Sequence, residues 1–311
     1  MIIGEGNFKY EWIENWAKIP DTVSGRENGR THGIVVLKNG NIAVFNQADP
    51  AVLIFNSNGE LINSWGNRFN GAHGLTLTEE NGKEYFWLTD QYSCEVVKTT
   101  INGKTLLRIE KPRIKLYEEK EYSPTWVAVF EERFGGNGDI WVTDGYGSNL
   151  IHRYSKEGIY LKSINGEEGK AGVFKCPHSI FINTREPEPE LYIADRGNKR
   201  FQVYDTEGNY KRSFGKNILI SPCGGVIKDN LLYIPELRAR VAIFDENDKL
   251  ITYLGRNESV CDLPGWPNHT KKLIQKGKFN SPHDMAVDEE DNLYIVEWII
   301  GGRITKLRRL K

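Results

Sequence analysis

A four-strand unit recurs six times along the 311-residue chain and constrains its fold more than any other feature. Each unit has an apolar strand, a polar turn, a second strand that usually ends in an acidic residue, a third strand and a fourth strand behind an Asp/Asn-Gly turn. The most regular unit runs from His178 to Gly215, and the unit from Gly33 to Gly66 has the same order. Self-similarity of short strands at such a period is typical of propeller repeats.

We therefore predict an all-β fold, a six-bladed β-propeller formed by a single domain, residues 1–311. The sixth unit ends after its third strand, whereas residues 8–12 form a strand that belongs to no unit. We expect this N-terminal strand to complete the last blade, because pairing there closes the ring and leaves no exposed sheet edge. The 31 Gly, 8 Trp, 14 Tyr and 13 Phe suit many short strands joined by tight turns.

Charge and hydropathy limit the classes of partner. The 41 basic and 42 acidic side chains nearly balance, so we expect no binding to nucleic acid. No apolar run reaches the ~20 residues of a membrane helix, so we expect no membrane association. Residues 1–6 lack the features of a signal peptide, which predicts a cytoplasmic protein; a secreted form whose leader has been removed is the alternative. The sequence does not predict an oligomeric state.

Three histidines, His73, His178 and His283, lie 105 residues apart and begin the inner strands of the even-numbered units. Alternate blades of a six-fold ring are related by a three-fold rotation, so three imidazoles can converge on one zinc ion and leave its fourth position open. The alternative interpretation is that each is a buried histidine bonded to the backbone. His32 begins the first inner strand, outside this pattern, and we interpret it as channel lining.

The ends of the second strands form another register. The repeated acid there is expected to accept hydrogen bonds from the backbone or a neighbouring blade. Two residues that follow it, Tyr146 and Arg196, are candidates for chemistry. A tyrosine beside a cation can act as a base, and an arginine can pair bidentately with a carboxylate. The alternative is a surface tyrosine and an arginine that bonds between blades.

These registered residues lie in stretches that resemble signatures of the peptidyl-α-hydroxyglycine α-amidating lyase family, six-bladed propellers related to NHL-repeat proteins. The stretches are His73-Gly74-Leu75, Asp144-Gly145-Tyr146, Pro177-His178-Ser179, Ala194-Asp195-Arg196 and Pro282-His283-Asp284. The resemblance covers essentially the whole chain and is greatest to the family's bacterial members.

The resemblance implies a catalytic Zn²⁺ and a structural Ca²⁺. The matching zinc ligands are His73, His178 and His283; the matching calcium ligands are Asp284 and the backbone carbonyls of Ile34 and Leu75. Tyr146 matches the catalytic base and Arg196 one of two important arginines. The implied reaction cleaves the C–N bond of a carbinolamide, in a small-molecule or peptide substrate, to an amide and glyoxylate.

One position departs from the family. The second arginine is replaced by Gln47, which has neither a charge nor a guanidinium to clamp a carboxylate. Arg238, at a similar register in the fifth unit, is a candidate to supply the missing charge. We therefore predict a zinc-dependent lyase, with Gln47 and Arg238 as substrate-binding candidates.

Two rival classes remain open. One is a non-enzymatic NHL-type propeller that binds a protein or ligand and uses a channel metal only for structure. The other is a metal-dependent hydrolase or lactonase, which three histidines disfavour because such sites usually use Glu, Asn and Asp ligands.

Overall fold

The computed structural model describes residues 1–185, 187–269 and 273–310. Its contacts define two compact units, a terminal unit (Met1–Phe69 with Cys223–Lys311) and a central unit (Asn70–Pro222). Each unit contains three antiparallel sheets. The chain is a six-bladed β-propeller, which confirms the fold class predicted from the repeats; the single domain stays a prediction.

The N-terminal part of the terminal unit supplies one whole sheet and the strands that complete another. Its elements are β1 (Ile2–Ile3), β2 (Tyr10–Ala17), α1 (Val23–Asn28), β3 (Thr31–Val36), β4 (Ile42–Asn46), β5 (Val52–Phe55) and β6 (Leu61–Trp65). Strands β3 to β6 pair in sequence order. β4 and β5 are wholly buried, whereas β6 is exposed, so the burial follows the radial order of a blade. Thr22 caps α1 by accepting a hydrogen bond from the Gly25 amide, 2.9 Å away.

The central unit contains the next three sheets, each with its four strands in sequence order. Its strands are β7 (Ala72–Glu80), β8 (Lys83–Asp90), β9 (Glu95–Thr100), β10 (Thr105–Ile109), β11 (Trp126–Val129), β12 (Ile140–Asp144), β13 (Leu150–Tyr154), β14 (Tyr160–Ile164), β15 (Pro177–Asn183), β16 (Glu190–Asp195), β17 (Arg200–Asp205) and β18 (Tyr210–Phe214). Its helices are α2 (Leu116–Glu119) and the 3₁₀ turns Glu132–Phe134 and Arg196–Asn198.

The C-terminal part of the terminal unit completes the fold. Its elements are β19 (Val226–Lys228), β20 (Leu231–Glu236), β21 (Arg240–Phe244), β22 (Leu250–Leu254), the 3₁₀ turn Glu258–Asp262, β23 (Pro282–Val287), β24 (Leu293–Glu297) and β25 (Arg303–Arg309). The last sheet has the order β1-β2-β25-β24-β23. The N-terminal strand thus completes the last blade, as predicted.

Acids at the ends of several second strands hold the loops of their blades. Asp90 accepts from the backbone amides of Gly71 and Tyr92, both at 2.9 Å. Asp195 accepts from the Lys175 amide and Glu297 from the Ser281 amide, at 2.8 and 2.9 Å. The expected structural role of this register is confirmed. Among the described residues no helix is both long and apolar enough to cross a bilayer.

Candidate functional site

Tyr146, in the turn after β12 of the central unit, lies at the meeting point of three nitrogen-bearing side chains. Its hydroxyl oxygen is 3.1 Å from His73 Nε2, 3.1 Å from His178 Nε2 and 3.2 Å from Arg196 Nη2, which donates to it. The side chain is only half-buried. The structure therefore brings together four of the residues predicted from sequence, and it places a phenol oxygen between two imidazoles and a fixed cation.

The second residues of two inner strands carry the imidazoles. His73 in β7 and His178 in β15 are both fully buried, and their ring centroids are 4.7 Å apart. His73 Nδ1 donates to the Thr125 carbonyl oxygen at 2.8 Å. A carbonyl can only accept, so this bond fixes a proton on Nδ1, and in the neutral ring the lone pair is then on Nε2, the nitrogen that faces Tyr146.

Arg196 begins the 3₁₀ turn after β16 and makes two contacts with the same Nη2. One goes to Tyr146 and the other to the Cys176 sulfur at 3.2 Å. The guanidinium carbon also lies 5.2 Å from the centre of the Tyr146 ring. Burial raises the pKa of the Cys176 thiol, although the Arg196 charge opposes this, so Cys176 remains a neutral neighbour.

In the terminal unit, His283 is likewise the second residue of its strand, β23. Its Nδ1 donates to the His32 carbonyl oxygen at 2.8 Å, which again leaves the lone pair on Nε2. The His32 and His283 rings are 4.4 Å apart. The Cys223 sulfur lies within 4.8 Å of a ring nitrogen of His283. His32, which we interpreted only as channel lining, therefore also positions a predicted ligand.

Asp284, the predicted calcium ligand, is a buried carboxyl group in the terminal unit. Its Oδ2 accepts from the Ile34 amide at 3.0 Å, and burial raises its pKa well above the usual range. Such a group is costly to ionise without a cation beside it. Leu75, the other predicted contributor, is buried in β7 of the central unit.

The two substrate-binding candidates differ in what they contact. Gln47, just after β4, is buried, and its backbone N–H donates to the Arg30 carbonyl oxygen at 3.0 Å. Arg238, between β20 and β21, forms an ion pair with Asp262. Its charge is therefore partly neutralised within the chain.

A polar network lies behind the Tyr146 turn. The Tyr117 hydroxyl donates to Asp144 Oδ2 at 2.7 Å and is 2.7 Å from His152 Nε2, while His152 Nδ1 is 2.7 Å from Ser163 Oγ. Burial lowers the pKa of His152 to about 3 and raises that of Asp144. A neutral imidazole thus contacts Tyr117, and Tyr117 in turn donates to Asp144, the acid two residues before Tyr146.

Sequence reasoning missed Thr125, Cys176 and the Tyr117–His152 contact. Thr125 directly precedes Trp126, the residue registered with the histidines, so the register could have indicated it. Cys176 lies two residues before His178 and could have been found in the same way. Tyr117 lies in α2, a segment outside the repeats, and no pattern points to its partner.

The fold and the site define the chain as a six-bladed β-propeller with a cluster of histidine, tyrosine and arginine side chains. Comparison with known proteins finds amidating enzymes and NHL-repeat proteins, the same groups that the sequence stretches around His73, Tyr146 and His178 resemble. The chain is 26% identical to peptidyl-glycine alpha-amidating monooxygenase A of Xenopus laevis over 271 residues, which cover 80% of the chain and 26% of that protein. It is 27% identical to peptidyl-alpha-hydroxyglycine alpha-amidating lyase 1 of Drosophila melanogaster over 274 residues, 77% of the chain and 45% of that protein.

NHL repeat-containing protein 3 of Homo sapiens is 26% identical over 211 residues, 64% of the chain and 57% of that protein. The resemblance to amidating lyases and NHL-repeat proteins is thereby confirmed. The chain spans from about a quarter to just over half of the length of these relatives. No family model matches the chain.

Among solved structures, a streptogramin B lyase matches with a TM-score of 0.62 and 13% identity, over 98% of the chain and 99% of that protein. At this identity the match supports the fold alone.

Proposed function

We propose that the protein is a zinc-dependent carbon–nitrogen lyase of the amidating-lyase type. It would cleave an α-hydroxyglycine-like substrate into an amide and glyoxylate. The observation that carries this proposal is the position of the Tyr146 hydroxyl between His73, His178 and Arg196, all within 3.2 Å. The homology to amidating lyases supports the same class of reaction.

The donor chemistry fits zinc. His73 and His283 each bond through Nδ1 to a backbone carbonyl, and this arrangement is common for histidines that bind a metal through Nε2. The sequence register assigns His178 as the third ligand. Zinc bound by these residues would supply Lewis acidity toward the substrate's α-hydroxyl.

Tyr146 is the group suited to remove the proton from that hydroxyl. The Arg196 guanidinium beside the phenol oxygen favours the ionised form of Tyr146. As the O–H bond breaks, its electrons form the carbonyl of glyoxylate and the C–N bond breaks. The electron pair of that bond stays on the amide nitrogen, which takes the proton back from Tyr146. No oxidant or water is consumed.

We further propose that Asp284 holds a structural Ca²⁺ together with the carbonyls of Ile34 and Leu75. Calcium prefers carboxylate and carbonyl oxygens, and it would offset the cost of ionising a buried acid. The substrate is a small molecule or a peptide that ends in α-hydroxyglycine. We also propose a cytoplasmic location, which is the one that the sequence predicts.

The test combines metal content with turnover. We expect one zinc per wild-type chain and glyoxylate release from α-hydroxyhippurate, with both lost in His178→Ala. His269→Gln is the matched control, because His269 bonds to Asn280 in the terminal unit and has no proposed catalytic role. Zinc without glyoxylate release would reject this substrate class, and a wild type without metal would reject the catalytic proposal.

A non-enzymatic NHL-type binding protein is the second candidate, because the identity to NHL repeat-containing protein 3 equals that to the lyases within 1%. This alternative expects His178→Ala to lower the thermal midpoint while no preparation releases glyoxylate. The two candidates therefore differ in the wild-type assay itself.

A further inference from the structure

We infer that Arg30 binds the carboxylate of the substrate and supplies the positive charge that Gln47 lacks. This inference rests on the proposed lyase function, whose product glyoxylate carries a carboxylate that the protein must hold. An arginine can bind it with two parallel hydrogen bonds.

The other candidate cations are already engaged. Arg196 donates to the Tyr146 hydroxyl and contacts Cys176, so its charge acts on Tyr146, the proposed base. Arg238 forms its ion pair with Asp262. In the described ranges, 1–185, 187–269 and 273–310, the Arg30 guanidinium makes no hydrogen bond or ion pair, and its Nε is buried without a partner. A buried guanidinium nitrogen without an acceptor is costly, and a carboxylate would remove that cost.

The backbone places Arg30 at the same sheet edge as Gln47 and His32. The Arg30 carbonyl oxygen accepts from the backbone N–H of Gln47 at 3.0 Å, so the two residues are direct neighbours. Two residues further on, the His32 carbonyl holds Nδ1 of the predicted ligand His283. Arg30 thus lies beside the position where the family's arginine is replaced and close in sequence to a residue that orients the proposed metal site.

Trp298, in the loop after β24, packs against the Arg30 guanidinium. The guanidinium carbon lies 5.7 Å from the Trp298 ring centre. Next to these two residues, the Thr31 hydroxyl at the start of β3 donates to the Glu297 carbonyl oxygen at 2.9 Å. An arginine that packs over an indole keeps the N–H groups at its edge available for an anion. The arrangement therefore suits a planar carboxylate rather than a neutral amide.

The test compares charged and neutral ligands. The binding probes are hippurate and hippuramide, measured by calorimetry on zinc-loaded protein, and the substrates are α-hydroxyhippurate and its carboxamide. We expect Arg30→Gln to weaken hippurate binding and raise the KM for α-hydroxyhippurate by about tenfold to a hundredfold. Hippuramide binding and the turnover of the carboxamide should stay within about twofold.

Two further variants separate a charge effect from a structural one. In Arg30→Gln/Gln47→Arg we expect a substantial part of the preference for the carboxylate to return, because the new guanidinium lies on the neighbouring residue. Arg108→Gln, an exposed arginine of β10 paired with Glu95, is the control and should match wild type.

The outcomes distinguish this inference from the proposed function. If wild type releases glyoxylate and Arg30→Gln keeps the full preference for the carboxylate, the inference is wrong and the lyase stands. If no preparation turns over but hippurate binding depends on Arg30, the lyase proposal fails and the anion site stands. An equal loss for hippurate and hippuramide, or a wild type without preference, would also overturn the role of Arg30.

Discussion

At the scale of single residues, the chemistry of the site depends on which atom carries each proton. The carbonyl of Thr125 fixes the tautomer of His73, and the carbonyl of His32 does the same for His283. Arg196 cannot lose its proton in a protein, so it places a permanent positive charge next to Tyr146. In the proposed reaction, Tyr146 is therefore the side chain that exchanges a proton with the substrate.

Removing that hydroxyl should separate catalysis from metal binding. In Tyr146→Phe we expect kcat to fall by about 10²- to 10⁴-fold, the range for loss of a general base, while the zinc content is unchanged. Steady-state glyoxylate assays and elemental analysis measure the two effects. Tyr92→Phe is the control, because Tyr92 occupies the same register after β8 and is 70% exposed. A variant that keeps wild-type kcat would exclude Tyr146 as the base.

At the scale of elements, the repeats explain which parts of the site could be predicted. His73 and His178 are the second residues of equivalent strands, so a fixed sequence interval was enough to predict that their rings converge; in the structure the ring centroids are 4.7 Å apart. The segment around Tyr117 lies outside the repeated strands, yet it forms α2 and a buried bond to Asp144. Such contacts depend on packing that has no periodic signal, and sequence patterns cannot supply them.

The network of Tyr117, Asp144 and His152 predicts an acid sensitivity. The pKa of His152 is about 3 in the folded chain and 6.5 in the unfolded chain, so below about pH 6.5 the unfolded state binds more protons and stability falls until about pH 3. From about pH 7.5 to 5.5 this amounts to about 1.4 kcal/mol. His152→Gln keeps a donor toward Tyr117 but cannot titrate.

Urea unfolding of wild type and His152→Gln at both pH values measures this effect. We expect the wild type to lose about 1.4 kcal/mol more than the variant on acidification. Asp144, whose raised pKa gives the opposite slope, is present in both chains, so its contribution largely cancels. Equal losses in the two chains would contradict a neutral, buried His152.

Strand β2 was predicted over residues 8–12 but is Tyr10–Ala17. Its pairing with β25 is irregular between Ile13 and Ala17, and Asn15 has φ 51°, so a bulge lets the strand continue beyond the alternating pattern. The existence of the strand could thus be predicted, whereas its end depends on backbone geometry that the residue pattern does not indicate.

The same strand should be a main source of stability. Trp12 in β2 is 1% exposed, and its ring centre lies 4.8 Å from that of Phe279. We expect Trp12→Ala to lower the free energy of unfolding by about 3–5 kcal/mol, because it leaves a cavity in this core. Ile2→Ala, at an exposed position of β1, is the control and should change it by less than about 0.5 kcal/mol. Similar values for both variants in urea denaturation would mean that β2 contributes little.

At the scale of the whole molecule, the two proposed ions have different roles: zinc takes part in the reaction, whereas calcium stabilises the fold. A change at Asp284 should affect only the calcium, so this residue allows the two roles to be tested separately. Calcium that binds only the folded chain stabilises it by about 2.7 kcal/mol at a hundred times its dissociation constant. We therefore expect Ca²⁺, but not Mg²⁺, to raise the thermal midpoint of the zinc-loaded wild type, because magnesium demands a tighter octahedral shell.

Asp284→Asn should abolish this shift, because the amide is isosteric but carries no charge to balance the ion. Its midpoint without calcium should be close to that of the wild type, since a neutral amide no longer has to be ionised in the interior. Asp21→Asn, whose side chain is 85% exposed and pairs with Arg26, is the control and should keep the full response. Scanning calorimetry with and without calcium measures the shift of the thermal midpoint in each chain. A variant that still gains the whole calcium shift would place the ion elsewhere and leave the buried carboxyl group of Asp284 as a protonated, purely structural hydrogen-bond partner of Ile34.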